Sequence, residues 1–278
     1  PGLFCLERRD VVPALLHRLP GNPHRRDYVV GDIHGHFGLL EGLLGHLDFG
    51  VARDRLFSPG DLIDRGPESG RVDEFLRTPW FHAVRGNHEQ LMLSGAHTLE
   101  SVPSDLAATR LRVRDGGGWF FLLNPRHQGT ICSEISQLPL AIEVALPGGG
   151  AGLVHGDVID DSWTAVCELL TEASPNPGAR AITETLVWGR SRALDSLSDQ
   201  PRASPDAVAV AGAELVCFGH TPMPTPARLA NTLWLDTGAG NGGPLSVAEL
   251  ALDGHGWTIT GDGRSIVEDA WNRAKEAQ

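Results

Sequence analysis

Residues 28–47, YVVGDIHGHFGLLEGLLGHL, change period within twenty positions. YVV is a short apolar run suited to a β-strand, and Gly31 breaks it. From Phe37 the pattern turns helical: Leu39, Leu40, Leu43, Leu44 and Leu47 fall on one stripe. Between them lies GDIHGH (31–36), a polar hexapeptide with a carboxylate and two imidazoles. The same unit returns twice. RLFSPGDLIDRG (55–66) is strand then polar loop, followed by the helical GRVDEFLR with Val72, Phe75 and Leu76 inward. FHAVRGNHE (81–89) is strand then polar loop, followed by helical EQLMLSGA. Three strand–loop–helix units in series give the rhythm of an α/β domain.

The second half is richer in β-structure. LAIEVALPGGGAGLVHGD reads as two strands joined by a Gly-rich turn. DSWTAVCELLTEA and ARAITETLV are helical. ELVCFGHT, NTLWLDTGA and LSVAELAL are strands again. Residues 174–178 and 196–207 read as surface loops. Residues 1–27 are expected to be an N-terminal extension, 28–260 one domain, and 261–278 a polar helical tail.

The chain has 278 residues and a net charge of −12. An acidic surface repels nucleic-acid backbones and anionic membranes, so neither is expected as a partner. A phosphate-bearing substrate must be captured locally, by metal or by arginine. All but one of the 23 basic residues are arginine, Lys275 being the exception. No run of 18 apolar residues could cross a membrane as a helix. The four cysteines, Cys5, Cys132, Cys167 and Cys217, form no CxxC, which argues against a structural zinc. With no secretory start in PGLFCLERRD either, a reducing cytoplasm is expected.

Each unusual polar cluster follows a strand. GDIHGH, GDLIDRG and RGNHE are joined by HGD (155–157) after GLV and GHT (219–221) after VCF. Strand C-termini of α/β folds open on a common crevice. Asp32 to Asp61 is 29 residues and Asp61 to Asn87 is 26, each about one βαβ unit. The candidate ligands are therefore Asp32, His34, Asp61, Asn87, His155 and His220. Carboxylates mixed with imidazoles, without thiolates, suit Mn²⁺, Fe or Zn²⁺ in a reactive site. Six ligands are too many for one open catalytic ion and about right for two ions sharing a carboxylate.

Arg65, Arg85 and Arg190 are candidate phosphate ligands, because a guanidinium fork matches two phosphoryl oxygens. His88 directly follows a candidate ligand, and neighbours rarely bind one ion. That frees it to act as a general acid, with Asp64 holding its ring. The competing readings are, for His88, a histidine in the third shell of the site and, for Asp64, a helix N-cap or a partner of Arg65 alone. Asp157 could orient His155 or cap a turn. GGGWFF (116–121) reads as a tight turn with buried aromatics, and Trp163 as packing.

GDIHGH, GDLIDRGPES and RGNHE together are the signature of the PPP-type metallophosphatases of the calcineurin-like superfamily. PWFHAVRGNHEQLML, GGGWFF, QLPLAIEV, FGHTP and LDTGA resemble the lambda-phage type and its bacterial relatives. The resemblance spans roughly residues 28–250. It implies a sandwich of two mixed β-sheets flanked by helices, with two divalent metals at the strand ends. It implies that Asp32, His34 and Asp61 hold one metal, and that Asp61, Asn87, His155 and His220 hold the other. A metal-bridging hydroxide would be the nucleophile, His88 with Asp64 the acid, and Arg65, Arg85 and Arg190 the phosphoryl clamp. The implied substrate is a phosphoprotein or phosphopeptide, at Ser/Thr with Tyr left open. A related family, the dinucleoside polyphosphate hydrolases, resembles GDLVARG at the second motif and lacks the aspartate present here as Asp64. A phosphate-binding scaffold without activity is the third alternative. Insertions near 158–182 and 192–212 bear on the choice of substrate.

Overall fold

The computed structural model describes residues 14–22, 25–101, 113–146, 149–172, 177–197, 208–251 and 256–269. In chain order the elements are β1 (Leu16–Leu19), β2 (Asp27–Val30), α1 (Phe37–His46), β3 (Arg55–Ser58), α2 (Val72–Leu76), β4 (Phe81–Ala83) and α3 (Asn87–Ser101). There follow α4 (Pro125–Ser136), β5 (Ala141–Leu146), β6 (Gly149–Val154), α5 (Trp163–Glu172), α6 (Pro177–Trp188) and α7 (Ser191–Leu197). The chain closes with β7 (Leu215–Phe218), β8 (Ala227–Leu229), β9 (Thr232–Trp234), β10 (Leu245–Glu249), β11 (Gly256–Ile259) and β12 (Ile266–Asp269).

The strands make two six-stranded mixed sheets, ordered β1-β5-β6-β7-β9-β8 and β12-β11-β10-β2-β3-β4. In the second, β2, β3 and β4 run parallel, as three consecutive strand–helix units require. In the first, β6, β7 and β9 run parallel. The expected helix-flanked sandwich of two mixed sheets is the fold observed.

The central strands are largely apolar because both of their faces are buried over most of their length. In β2, Val29 faces the other sheet together with Phe57, Leu153 and Cys217. Its neighbours Tyr28 and Val30 face outward onto α1, among Phe37, Leu40 and Leu43. In the other sheet Val154, Val216 and Phe218 face outward onto α5 and α6, against Trp163, Val166 and Leu186. Each such side chain contributes about 1.5–3 kcal/mol on burial. Trp163 is core, as read: its ring lies where a Cβ on Gly152 would come within 2.6 Å.

The two ends of the chain differ from the sequence reading. Residues 16–19 of the supposed extension form β1, which pairs in parallel with β5 from Leu16↔Ala141 to Leu19↔Val144. Residues 270–278 of the supposed helical tail lie outside the described residues, and 266–269 form β12 instead, antiparallel to β11. Asp262-Gly263, with Gly263 at φ +71°, turns the chain between them. Such a dipeptide between two alternating runs is a hairpin signal that the polar composition masked. The loop of residues 174–178 begins outside the described residues and runs into α6 at Pro177, while most of 196–207 lies outside them.

Candidate metal centre

β2, β3, β4, β6 and β7 all end at one pole of the sandwich, and each hands a polar loop to it. Asp32, His34, Asp61, Asn87, His155 and His220 are all buried there. The backbone is bent hard to present them. His34, Asp61, Asp64, Arg65 and His220 adopt positive φ of 45°, 53°, 72°, 68° and 66°. Such conformations cost about 1–3 kcal/mol each and cluster where function over-determines the chain.

Hydrogen bonds hold the bends. His34 N–H donates to the Asp61 carbonyl (2.8 Å) and Gly66 N–H to the His34 carbonyl (2.9 Å), joining the first loop to the second. The Glu89 carboxylate accepts N–H bonds from Asp61 (2.9 Å), Leu62 (2.9 Å) and Gly86 (2.8 Å), joining the second to the third. A Cβ on Gly86 would sit 2.3 Å from Asp61 Oδ1, so only glycine fits there.

The donor atoms form two groups around Asp61. Its Oδ2 lies 3.5 Å from His34 Nε2, and its Oδ1 lies 3.3 Å from His155 Nε2. Asn87 Oδ1 is 2.9 Å from both His155 Nε2 and His220 Nδ1. One carboxylate with an imidazole at each oxygen is the arrangement two ions sharing a bridge require. His34 Nδ1 bonds the Ile63 carbonyl (3.0 Å) and His155 Nδ1 the Pro59 carbonyl (2.8 Å). That leaves each Nε2 lone pair facing the centre, the usual way a protein orients a metal-binding histidine. Asp32 Oδ2 accepts from His220 N–H (2.9 Å), while Asp32 Oδ1 is buried without a hydrogen-bond partner. An orphaned carboxylate oxygen among converging imidazoles fits a cation. The geometry thus fits the expected donor set.

Burial and mutual charge perturb the whole cluster; against the push of burial, Asp61 raises His155. Burial, then the neighbouring Asp236 and Asp61, raises the Asp32 carboxyl well above its ordinary range. Against the push of burial, His155 and His88 hold Asp61 well below it. Burial lowers His34 to about 4 and His220 to about 3, keeping both in the neutral form that a metal ligand needs. Burial disfavours charge on His88 too, but Asp61 and Asp64 outweigh it and raise the imidazole.

His88 Nδ1 lies 2.8 Å from Asp64 Oδ2, both groups buried. His88 Nε2 is 3.9 Å from Asp61 Oδ2, beside the His34 group. Arg65 places Nη1 3.0 Å from His34 Nε2 and Nη2 3.1 Å from His88 Nε2. Arg190 lies between α6 and α7, with Nε 2.9 Å from His220 Nε2. Arg85 is tied elsewhere through its Nη groups, while its Nε is buried without a hydrogen-bond partner. Its guanidinium donates to the Ser136 and Leu138 carbonyls (3.2 and 3.1 Å) and to Gln90. Carbonyls at a helix C-terminus lack intrahelical donors, and Arg85 fills that need at the end of α4. Asp157 does not contact His155 in this way either; its carboxylate holds Arg192 and caps Val158.

Three residues escaped the sequence reading. Glu89 acts through backbone N–H groups, which no side-chain pattern reveals. Asp236, buried after β9, obeys the strand-end rule but stood without a histidine beside it. Trp119 donates its indole N–H to Asp64 Oδ1 at 2.8 Å from within the run read as a tight turn.

Residues 28–224 match the family model described as "Calcineurin-like phosphoesterase". Serine/threonine-protein phosphatase 2 of Escherichia coli K12 is 31% identical over 236 residues, covering 84% of this chain and 96% of the relative. The symmetrical bis(5'-nucleosyl)-tetraphosphatase of Paracidovorax citrulli is 31% identical over 184 residues, covering 62% of this chain and 59% of the relative. A cold-active protein-tyrosine phosphatase from a psychrophilic Shewanella shares the fold, with TM-score 0.53 and 16% identity over 90% of this chain and 81% of that one.

Proposed function

Because the chain belongs to the calcineurin-like phosphoesterase family, we propose that it is a metal-dependent phosphomonoesterase whose substrates are phosphoserine and phosphothreonine in proteins. Asp32, His34 and Asp61 would hold one divalent ion, and Asp61, Asn87, His155 and His220 the other. Mn²⁺ suits these oxygen and imidazole donors, with Fe or Zn²⁺ as alternatives. When bound, the ions supply Lewis-acid stabilisation of phosphoryl charge and an activated water.

The observation that carries the reading is the buried Asp64–His88 pair at 2.8 Å. A serine alkoxide is a poor leaving group and must gain a proton as the P–O bond breaks. Asp64 accepts the hydrogen bond from His88 Nδ1–H and so fixes the ring. The Nε2 proton of the imidazolium is then the one for the leaving oxygen, once Arg65 Nη2, 3.1 Å from Nε2 here, turns to the phosphoryl oxygens. Arg65 and Arg190 flank the centre and would orient the phosphoryl oxygens two at a time. Cys132, Cys167 and Cys217 are buried and form no disulfide among the described residues. Among the described residues no helix is long and apolar enough to cross a membrane.

The tetraphosphatase relatives favour a second reading, hydrolysis of a dinucleoside polyphosphate. There the leaving group is itself a phosphate and needs an acid less. The discriminating experiment gives the Mn²⁺-loaded protein a phosphoserine peptide, a phosphotyrosine peptide and diadenosine tetraphosphate side by side. The phosphoserine peptide is expected to show the highest kcat/KM. A higher value for diadenosine tetraphosphate replaces the first reading with the second.

A further inference from the structure

The Asp64–His88 pair has a third member. Asp64 has two carboxylate oxygens, and each accepts one hydrogen bond of 2.8 Å: Oδ2 from His88 Nδ1, Oδ1 from Trp119 Nε1. An indole N–H can only donate, so the direction of the second bond is unambiguous. The terminal torsion of an aspartate is soft. A single donor leaves it free to swing; donors on both oxygens hold the carboxylate plane.

The turn that carries Trp119 is anchored for this purpose. Gly116 sits at φ +94°, and a Cβ there would lie 2.5 Å from Arg65 N. The Arg65 N–H donates to the Gly116 carbonyl at 3.3 Å, so the turn rests on the residue next to Asp64. Phe120 is buried, its ring edge-on to Trp119 at 5.8 Å, and its carbonyl accepts from Gln128 Nε2 at 2.8 Å. Packing alone would leave a half-buried indole free to send its N–H to solvent. Here it is aimed at a buried carboxylate instead.

We infer that Trp119 is a positioning residue: its indole N–H holds Asp64, and through Asp64 the His88 ring, in the orientation that presents Nε2 to the leaving oxygen. The inference rests on the phosphomonoesterase reading for its kinetic consequence, and on geometry alone for the hold on Asp64.

Trp119→Phe removes the donor and keeps an aromatic ring. The variant is expected to lose about tenfold in kcat on a phosphoserine peptide, the scale of a lost supporting hydrogen bond. Its KM should be unchanged, and its kcat on p-nitrophenyl phosphate, which leaves without a proton, close to that of the parent. Equal loss on both substrates overturns the inference, because a general disturbance of the site would slow both. Replacing the Trp119 indole by benzothiophene keeps the ring shape and removes only the N–H. It must reproduce the selective loss, even if Trp119→Phe folds poorly.

A second readout needs no substrate. In the Zn²⁺-loaded protein the low-field His88 Nδ1–H resonance, assigned by its disappearance in His88→Asn, should exchange faster with water once the indole N–H is removed. An unchanged exchange rate overturns the inference. If the parent protein cleaves neither ester, the phosphatase reading falls and this resonance alone decides whether Trp119 holds Asp64.

Discussion

At the scale of single residues, the site is made by side chains whose neighbours leave them one orientation. His34 and Asp61 hold left-handed backbone that neither residue type favours, and Gly86 is small because Asp61 Oδ1 occupies the space where its Cβ would be. His88 illustrates how much one residue can be asked to do. Replacing it by Asn keeps a polar side chain of similar size but removes the transferable proton. The expected loss in kcat on a phosphoserine peptide is about 10²–10⁴-fold, the usual contribution of a general acid. On p-nitrophenyl phosphate the loss should be much smaller. Equal losses on the two would take the acid role away from His88. His88 and Asp64 were legible in the sequence because a histidine beside a ligand has few other duties. Glu89 was not, because its partners are the amides of Asp61, Leu62 and Gly86 and carry no residue identity.

At the scale of elements, short strands were legible wherever an apolar run ended in a polar loop. β2, β3 and β7 are four residues each, buried throughout or nearly so. β1 and β12 were missed because edge strands are exposed in part and mix polar with apolar residues. The N-terminal ends of β2 and β3 depend on charge. Asp54 accepts N–H bonds from Gly50 (2.8 Å) and Arg26 (3.3 Å) and pairs with the Arg26 guanidinium at 2.9 Å. Burial pushes its carboxyl up, but these donors prevail and hold it below the ordinary 3.8. A carboxylate with a lowered folded-state pKa stabilises above its unfolded pKa and loses that contribution as pH falls through the folded one. The parent should therefore lose stability as pH falls below about 3.8, the ordinary value for this group. Asp54→Asn should be less stable at pH 7 by about 1 kcal/mol and should show a shallower acid limb in urea unfolding. Identical acid limbs would show that this pair does not fasten the strand ends.

At the scale of the whole molecule, the metal centre joins the two sheets. Asp32, Asp61 and Asn87 extend from β2, β3 and β4 of one sheet, and His155 and His220 from β6 and β7 of the other. Ions bound between them would act as cross-links that only the folded chain can make and would stabilise by mass action. Chelation should lower Tm by several degrees, and added Mn²⁺ should restore it. Asp61→Asn should bind at least one equivalent less metal by elemental analysis and gain less Tm from Mn²⁺. Two equivalents retained would rule out Asp61 as a shared ligand.

The sequence by itself determined the sandwich of mixed sheets and the six residues that gather, buried, at the strand ends. Strand ends, glycine breaks and hard ligands are local chemistry, and local chemistry is written in order along the chain. Tertiary structure alone decided that Asp61 faces both imidazole groups, that Arg85 donates to the carbonyls of Ser136 and Leu138, and that Trp119 reaches Asp64 across 55 positions. Those are distances between segments far apart in the chain, set by how the sheets and helices pack, and no spacing of letters encodes them.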